Sequence, residues 1–160
     1  MEKTLTTLAE LEGEAARFAR AVAPAERGAT LVTLSGELGA GKTAFTKAVA
    51  KALGIEETVT SPTFVIEKIY PLQSCRSRTS TKTCRSSTST DFSRLVHIDA
   101  YRLEQGADLA PLGFDELMRD PANLIFLEWP EMVADALPPA AVRITLSPNP
   151  DGSRTFTYGE

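Results

Sequence analysis

The amino-acid sequence predicts an α/β fold in which helices cover both faces of a central, mostly parallel sheet, giving three layers. Short apolar runs that are typical of strands alternate with amphipathic stretches along the chain. One of these runs, residues 30–34, leads directly into a glycine-rich loop and then into a helical pattern. We expect one domain over residues 1–160, because a chain of 160 residues can bury about 70% of its unfolded surface.

The glycine-rich loop, residues 36–43, reads GELGAGKT and matches the phosphate-binding pattern G-x-x-x-x-G-K-[ST]. Its backbone N–H groups can surround phosphates, and the dipole of the following helix favours negative charge at the same point. We expect Lys42 to reach the β and γ phosphate oxygens and the Thr43 hydroxyl to coordinate Mg²⁺. The fold is therefore predicted to be P-loop NTPase-like, with a nucleoside triphosphate bound by Gly36, Glu37, Leu38, Gly39, Ala40, Gly41, Lys42 and Thr43.

The other elements follow from local patterns. A capping box at residues 7–10 predicts an N-terminal helix, and Gly54 is expected to end the helix that follows the phosphate loop. Further strands are predicted at residues 64–70, 95–99, 124–128, 142–146 and 154–158, and helical stretches within residues 108–119 and 131–137. These patterns do not specify the order of the strands.

Two of the predicted strands end in a carboxylate, Asp99 in LVHID and Glu128 in LIFLE. Ligands of open α/β sheets gather at the carboxyl ends of strands, and Mg²⁺ prefers oxygen ligands. One carboxylate, together with Thr43 and the phosphates, would satisfy the ion, and the other could orient or deprotonate water. The structural alternative for each carboxylate is a helix cap or a surface ion pair.

The composition and the first residues of the chain indicate the cellular location of the protein. Hydrophobic residues make up 42% of the chain and charged residues 24%, as in ordinary globular domains. No apolar run approaches the roughly 18 residues of a membrane span, and the first residues lack a secretory-signal pattern. We expect a cytoplasmic protein with no membrane partner.

Residues 73–94 interrupt the alternation, since they are mostly Ser, Thr and Arg and have no apolar periodicity. We predict a disordered insertion, with Cys75 and Cys84 as free thiols. Its five basic residues against one acidic residue could contact RNA phosphates. The alternative is a tolerated surface insertion or a stretch of altered reading frame, because loops absorb length at little cost.

Five motifs occur in a fixed order: GELGAGKT, TSPTF at 60–64, HIDAYRL at 97–103, LG at 112–113 and LEWPE at 127–131. Together they resemble the bacterial TsaE family, the small ATPase of tRNA threonylcarbamoyladenosine biosynthesis, from about residue 28 to 138. The resemblance implies a Mg²⁺-dependent ATPase that uses ATP. It also implies TsaB and TsaD as partners, where TsaD transfers the threonylcarbamoyl group to adenosine 37 of tRNA. ATP hydrolysis would support repeated cycles of that modification, so tRNA is an indirect partner.

Carried onto this chain, the resemblance assigns Thr43 and Glu128 to Mg²⁺ and Asp99 to the hydrolytic site, which also includes Lys42.

It further implies a switch-like loop at residues 60–64, where Ser61 contacts the nucleotide and Thr63 takes part in catalysis. Both hydroxyls could reach water, metal or γ-phosphate, and Pro62 favours extended backbone before it. The alternative for this loop is a plain turn. The chain departs from the family at Leu11, where a threonine near the adenine is usual. His97, the only histidine, is expected to have a structural role.

Two other functions are compatible with a phosphate loop. A small-molecule kinase needs an acceptor pocket and usually an Arg-rich lid that excludes water. An ATP-dependent binding switch needs nucleotide binding with negligible turnover.

Overall fold

The computed structural model describes residues 1–57, 66–72 and 91–159. Within these residues, seven strands form one mixed sheet, and three α-helices and three short 3-10 helices pack on it. The strands are β1 Glu2–Leu5, β2 Thr30–Ser35, β3 Glu67–Pro71, β4 Arg94–Asp99, β5 Asn123–Glu128, β6 Val142–Pro148 and β7 Arg154–Gly159. The α-helices are α1 Leu8–Ala21, α2 Lys42–Ala52 and α3 Phe114–Arg119, and the 3-10 helices are Ala100–Arg102, Gly106–Leu112 and Pro130–Val133.

The strand order is β1-β7-β6-β2-β5-β4-β3. The four central strands, β6, β2, β5 and β4, pair in parallel, whereas β3 at one edge and β7 and β1 at the other pair antiparallel. The predicted mostly parallel centre is therefore confirmed. β5 is buried along its whole length and β2 along all but its last residue, because parallel strands at the centre of a sheet are covered on both faces.

Two apolar clusters lie on opposite faces of the sheet, which confirms the three layers. On one face, α1 and α2 pack against side chains such as Leu124 and Phe126 of β5. On the other face, α3 and the 3-10 helices pack against Ile125 and Leu127 of the same strand. This alternation follows from the two-residue period of a strand.

The N-terminal helix and its cap are as predicted. The Thr7 hydroxyl accepts from the Glu10 N–H at 3.2 Å, and the Glu10 carboxylate accepts from the Thr7 N–H. The helical structure predicted within residues 108–119 is present as two helices, because Gly113 adopts a left-handed conformation (φ 68°) between a 3-10 helix and α3. The stretch predicted at 131–137 is a short 3-10 helix over Pro130–Val133.

The strands of the structure differ from the predicted strands at two places. β1 was not predicted, because its four residues become a strand only by pairing with β7. The strand predicted at 64–70 begins at Glu67, since Ile66 has a positive φ of 70° that interrupts extended backbone. Residues 64 and 65 lie outside the described residues.

Residues 91–94, the C-terminal end of the predicted disordered insertion, are instead part of the fold. Phe92 is fully buried in the cluster beside α1 and α2, the Ser93 carbonyl accepts from the Leu72 N–H at 2.8 Å, and Arg94 begins β4. The buried Phe92 ring and the backbone hydrogen bond of Ser93 together join this segment to the core. Residues 73–90, with both cysteines, lie outside the described residues. Of the helices in the described ranges, none has the length and apolar character needed to cross a membrane.

Candidate active site

The phosphate loop leaves the end of β2 and returns to start α2 at Lys42. Gly36 has φ 139°, and a Cβ at this position would collide with the Leu146 carbonyl oxygen. Gly41, with φ 109°, is the N-cap of α2, and no side chain in the described part of the chain caps that helix. The first N–H groups of α2 therefore point into the loop, where they can bind phosphate.

The Lys42 side chain is held inside the loop and is only 5% exposed. Its ammonium donates to the carbonyl oxygens of Gly36 at 2.6 Å and Glu37 at 2.9 Å, and lies 3.8 Å from the centre of the Trp129 ring. Burial lowers the pKa of the Lys42 ammonium, while the charges of Glu128 and other nearby carboxylates oppose that shift. Lys42 thus concentrates positive charge in a partly desolvated loop.

Thr43 and Glu128, the predicted metal ligands, are in direct contact. The Thr43 hydroxyl donates to the Glu128 carboxylate, at 2.9 Å to Oε1 and 3.1 Å to Oε2. Sheet register explains the contact, because β2 and β5 are paired with Leu34 opposite Glu128, and the loop follows β2. A hydroxyl and a carboxylate are oxygen donors of the type that Mg²⁺ takes beside phosphates and water, so these residues fit the ion.

Asp99 lies next to Glu128 because β4 and β5 pair in parallel with these two residues in register. Its Oδ1 accepts from the Tyr101 N–H at 3.1 Å and caps the 3-10 helix Ala100–Arg102. The helix-cap alternative is therefore realised. The capped carboxylate also lines the cavity beside the phosphate loop, so the cap fixes its position there.

That cavity has a volume of about 230 Å³ and brings seven of the predicted site residues together, among them the four that carry the predicted chemistry: Lys42, Thr43, Asp99 and Glu128. The rest of its lining is Leu38, Gly39, Gly41, Ala44, Tyr101 and Trp129. Ser61 and Thr63, with the whole predicted switch loop, lie outside the described residues, and their roles stay predictions.

Trp129 lines the cavity and also packs against the apolar core. Its backbone is left-handed (φ 59°), its N–H donates to the Leu34 carbonyl at 3.1 Å, and its ring centre lies 5.1 Å from that of Tyr101. The indole also packs against the apolar cluster that includes Val133. It is both a partly buried anchor and a wall of the site, and an indole there can respond to a bound ligand.

His97 was not among the predicted site residues. Its Nε2 lies 2.7 Å from Glu128 Oε1, and its side chain is fully buried. The signal was present in the sequence, because residues two apart in a strand share a face, so His97 shares the face of Asp99.

A second cavity of about 190 Å³ lies on the other side of the phosphate loop and shares Gly41 and Ala44 with the first. It is also lined by Thr7, by Arg154 and by three apolar side chains, Leu5 of β1 and Leu8 and Leu11 of α1. Arg154 is half-buried on β7, and a Cβ at Gly41 would lie 3.5 Å from its Nε. Sequence patterns missed this residue because β7 meets the loop only in the folded chain.

The family model described as threonylcarbamoyl adenosine biosynthesis protein TsaE matches residues 8–156. The tRNA threonylcarbamoyladenosine biosynthesis protein TsaE of Streptomyces coelicolor is 37% identical over 128 residues, or 79% of this chain and 74% of the relative. The protein of the same name from Treponema pallidum is 35% identical over 80% of each chain. This chain also resembles the protein in the crystal structure of Bacillus subtilis YdiB, with 25% sequence identity. The two structures align with a TM-score of 0.68 over 99% of this chain and 83% of that chain.

Proposed function

The chain belongs to the TsaE family, whose members take part in threonylcarbamoyladenosine modification of tRNA, and on that premise we propose that it is a Mg²⁺-dependent ATPase serving this modification. TsaB and TsaD homologues are its proposed partners, tRNA is met through them, and the proposed location is the cytoplasm. One observation carries the proposal: a single cavity holds the phosphate-loop lysine, the Thr43–Glu128 pair and the Asp99 carboxylate.

In this proposal the α2 N-terminus and Lys42 bind the phosphates of ATP. Bound Mg²⁺ would neutralise charge on the β and γ phosphates, and Thr43 and Glu128 are the residues that would hold it. Asp99, fixed by the Tyr101 N–H, orients a water molecule or accepts its proton. The water oxygen bonds to the γ-phosphorus, the bond to the β–γ bridging oxygen breaks, and ADP and phosphate leave.

The second cavity suits the nucleoside part of ATP. It adjoins the first cavity at Gly41 and Ala44 and is not lined by Asp99 or Glu128, so a nucleotide on the loop would extend into it. Leu5, Leu8 and Leu11 offer apolar surface to a base, and the Arg154 guanidinium can stack on a base or meet a phosphate oxygen.

The deciding experiment is an assay of ATP consumption by the purified protein. The assay is first run with the protein alone, then with TsaB and TsaD homologues and tRNA, and then with sugars or nucleosides. We expect phosphate release that requires Mg²⁺ and increases with the TsaB and TsaD homologues. Phosphate transferred to a sugar or nucleoside would instead identify a kinase, and tight ATP binding without turnover under every condition would identify a binding switch.

Trp129 provides a prediction for the site itself, since it is the only tryptophan and its ring lies against Lys42. Addition of Mg-ADP should change its fluorescence, and Glu128→Ala should abolish the Mg²⁺-dependent part of that change. Glu116→Ala, which removes an exposed acid on α3, is the matched control and should behave as wild type. An unchanged signal where calorimetry shows binding would contradict the assignment of Glu128 to the metal.

A further inference from the structure

The buried contact between His97 and Glu128 has no part in the proposed function above. The imidazole is fully buried, and its Nε2 lies 2.7 Å from Glu128 Oε1. The same carboxylate accepts from the Thr43 hydroxyl, so two side chains from different elements converge on it. The other ring nitrogen, Nδ1, is also buried and has no hydrogen-bond partner among the described residues.

The chemistry of these groups fixes which atom donates. An ionised carboxylate only accepts hydrogen bonds, and a neutral imidazole carries one N–H and one lone pair. The short contact therefore requires the proton on Nε2, which donates to Glu128 Oε1, and leaves the lone pair on Nδ1.

Packing alone does not explain a histidine here. An apolar side chain could fill this position without burying an unpaired nitrogen, which carries a free-energy cost. Lys68 stands opposite His97 in the β3–β4 register, but its ammonium pairs with Glu57 at 3.0 Å. The contact with Glu128 is thus the hydrogen bond that the structure gives the imidazole.

We propose that His97 is a positioning residue for Glu128: its Nε2–H holds the carboxylate in the orientation that faces Thr43 and the metal. This inference rests on the proposed function, because it assigns His97 to the same Mg²⁺ site. Glu128 is held on one side by a ring fixed in the sheet and on the other by the hydroxyl that would share the ion. The carboxylate is therefore oriented before Mg²⁺ binds.

Two amide variants separate positioning from filling space. In His97→Gln the side-chain amide nitrogen is as many bonds from Cα as Nε2, so it can still donate to Glu128. In His97→Asn the amide nitrogen corresponds to Nδ1 and cannot reach. Both variants bury an amide, so they match in polarity.

The readout is the affinity for Mg²⁺ in the presence of saturating ADP, from Trp129 fluorescence, together with ADP affinity in EDTA. His97→Asn should weaken Mg²⁺ binding by about 10- to 100-fold, the usual effect of losing a partner of a metal ligand, with ADP affinity in EDTA unchanged. His97→Gln should stay within about threefold of wild type on the same scale. Equal Mg²⁺ affinities in both variants and wild type would overturn the inference.

A double-mutant cycle with Glu128→Ala, in which calorimetry of the ADP complex measures Mg²⁺ affinity, tests whether His97 acts through that carboxylate. In the Glu128→Ala background, His97→Asn should cause no further loss of Mg²⁺ affinity. A further loss would show that His97 acts by another route.

A third measurement needs no variant and remains decisive if the amide variants fail to fold. The chain has one histidine, so its imidazole nitrogen resonances are assigned without ambiguity. Nitrogen-15 NMR of the wild-type protein should show the proton on Nε2, with a shift change when Mg²⁺ is added to the ADP complex. An Nε2 without a proton would overturn the inference. Failure of the proposed function is distinct from these outcomes, because it would appear as the absence of Mg²⁺-dependent ATP hydrolysis by the wild-type protein, which none of these binding and NMR measurements uses.

Discussion

Asp99→Asn should reduce single-turnover ATP hydrolysis by about 100-fold or more, with nucleotide affinity close to wild type. A positioned base contributes about 10²- to 10⁴-fold to proton transfer, and an amide keeps the shape of the carboxylate but not its basicity. The amide oxygen can still accept from the Tyr101 N–H, so the cap of the 3-10 helix should persist. Rapid-quench kinetics and calorimetry measure the two quantities separately.

Asp108→Asn is the matched control for loss of an aspartate at a cap. Asp108 is half-buried and does not line the cavity, and its carboxylate accepts from the Glu104 and Gln105 N–H groups at the start of another 3-10 helix, Gly106–Leu112. The Asp108→Asn substitution should leave the rate of ATP hydrolysis unchanged. If Asp99→Asn weakens nucleotide binding and leaves the single-turnover rate intact, Asp99 is a binding ligand and not the base.

Lys42→Ala should weaken ATP binding by about 10- to 100-fold, since a charge-assisted hydrogen bond contributes about 1.5–3 kcal/mol. The ammonium is buried in the loop that would surround the phosphates, so water and salt screen it little. Glu128→Ala should differ in kind, with nucleotide still bound and Mg²⁺-dependent hydrolysis lost. Calorimetry with ATP and ADP, with and without Mg²⁺, separates the two effects.

Lys47→Ala, which removes an exposed lysine from the same helix, controls for the loss of a positive charge from α2. It should bind ATP as wild type does. Hydrolysis near the wild-type rate in both Lys42→Ala and Glu128→Ala would contradict the ATPase proposal.

The sequence by itself determined the features that depend on neighbouring residues. The phosphate loop was predicted because the two glycines that the pattern fixes permit the positive φ of residues 36 and 41, and the α1 cap because Thr7 and Glu10 are three residues apart. The ends of β4 and β5 were predicted with their carboxylates, because each apolar run stops at an acid. The three-layer fold followed from the alternation of these elements.

Only the tertiary structure decided how those parts meet. Thr43 and Glu128 are 85 residues apart in sequence, and their contact depends on β5 pairing beside β2. The pairing of β4 with β5 brings His97 to Glu128, and the position of β7 brings Arg154 to Gly41. Strand order is set by packing between segments distant in the chain, and local patterns carry no information about it. The sequence therefore predicted the chemical groups of Lys42, Thr43, Asp99 and Glu128, and the order of the strands determined their contacts.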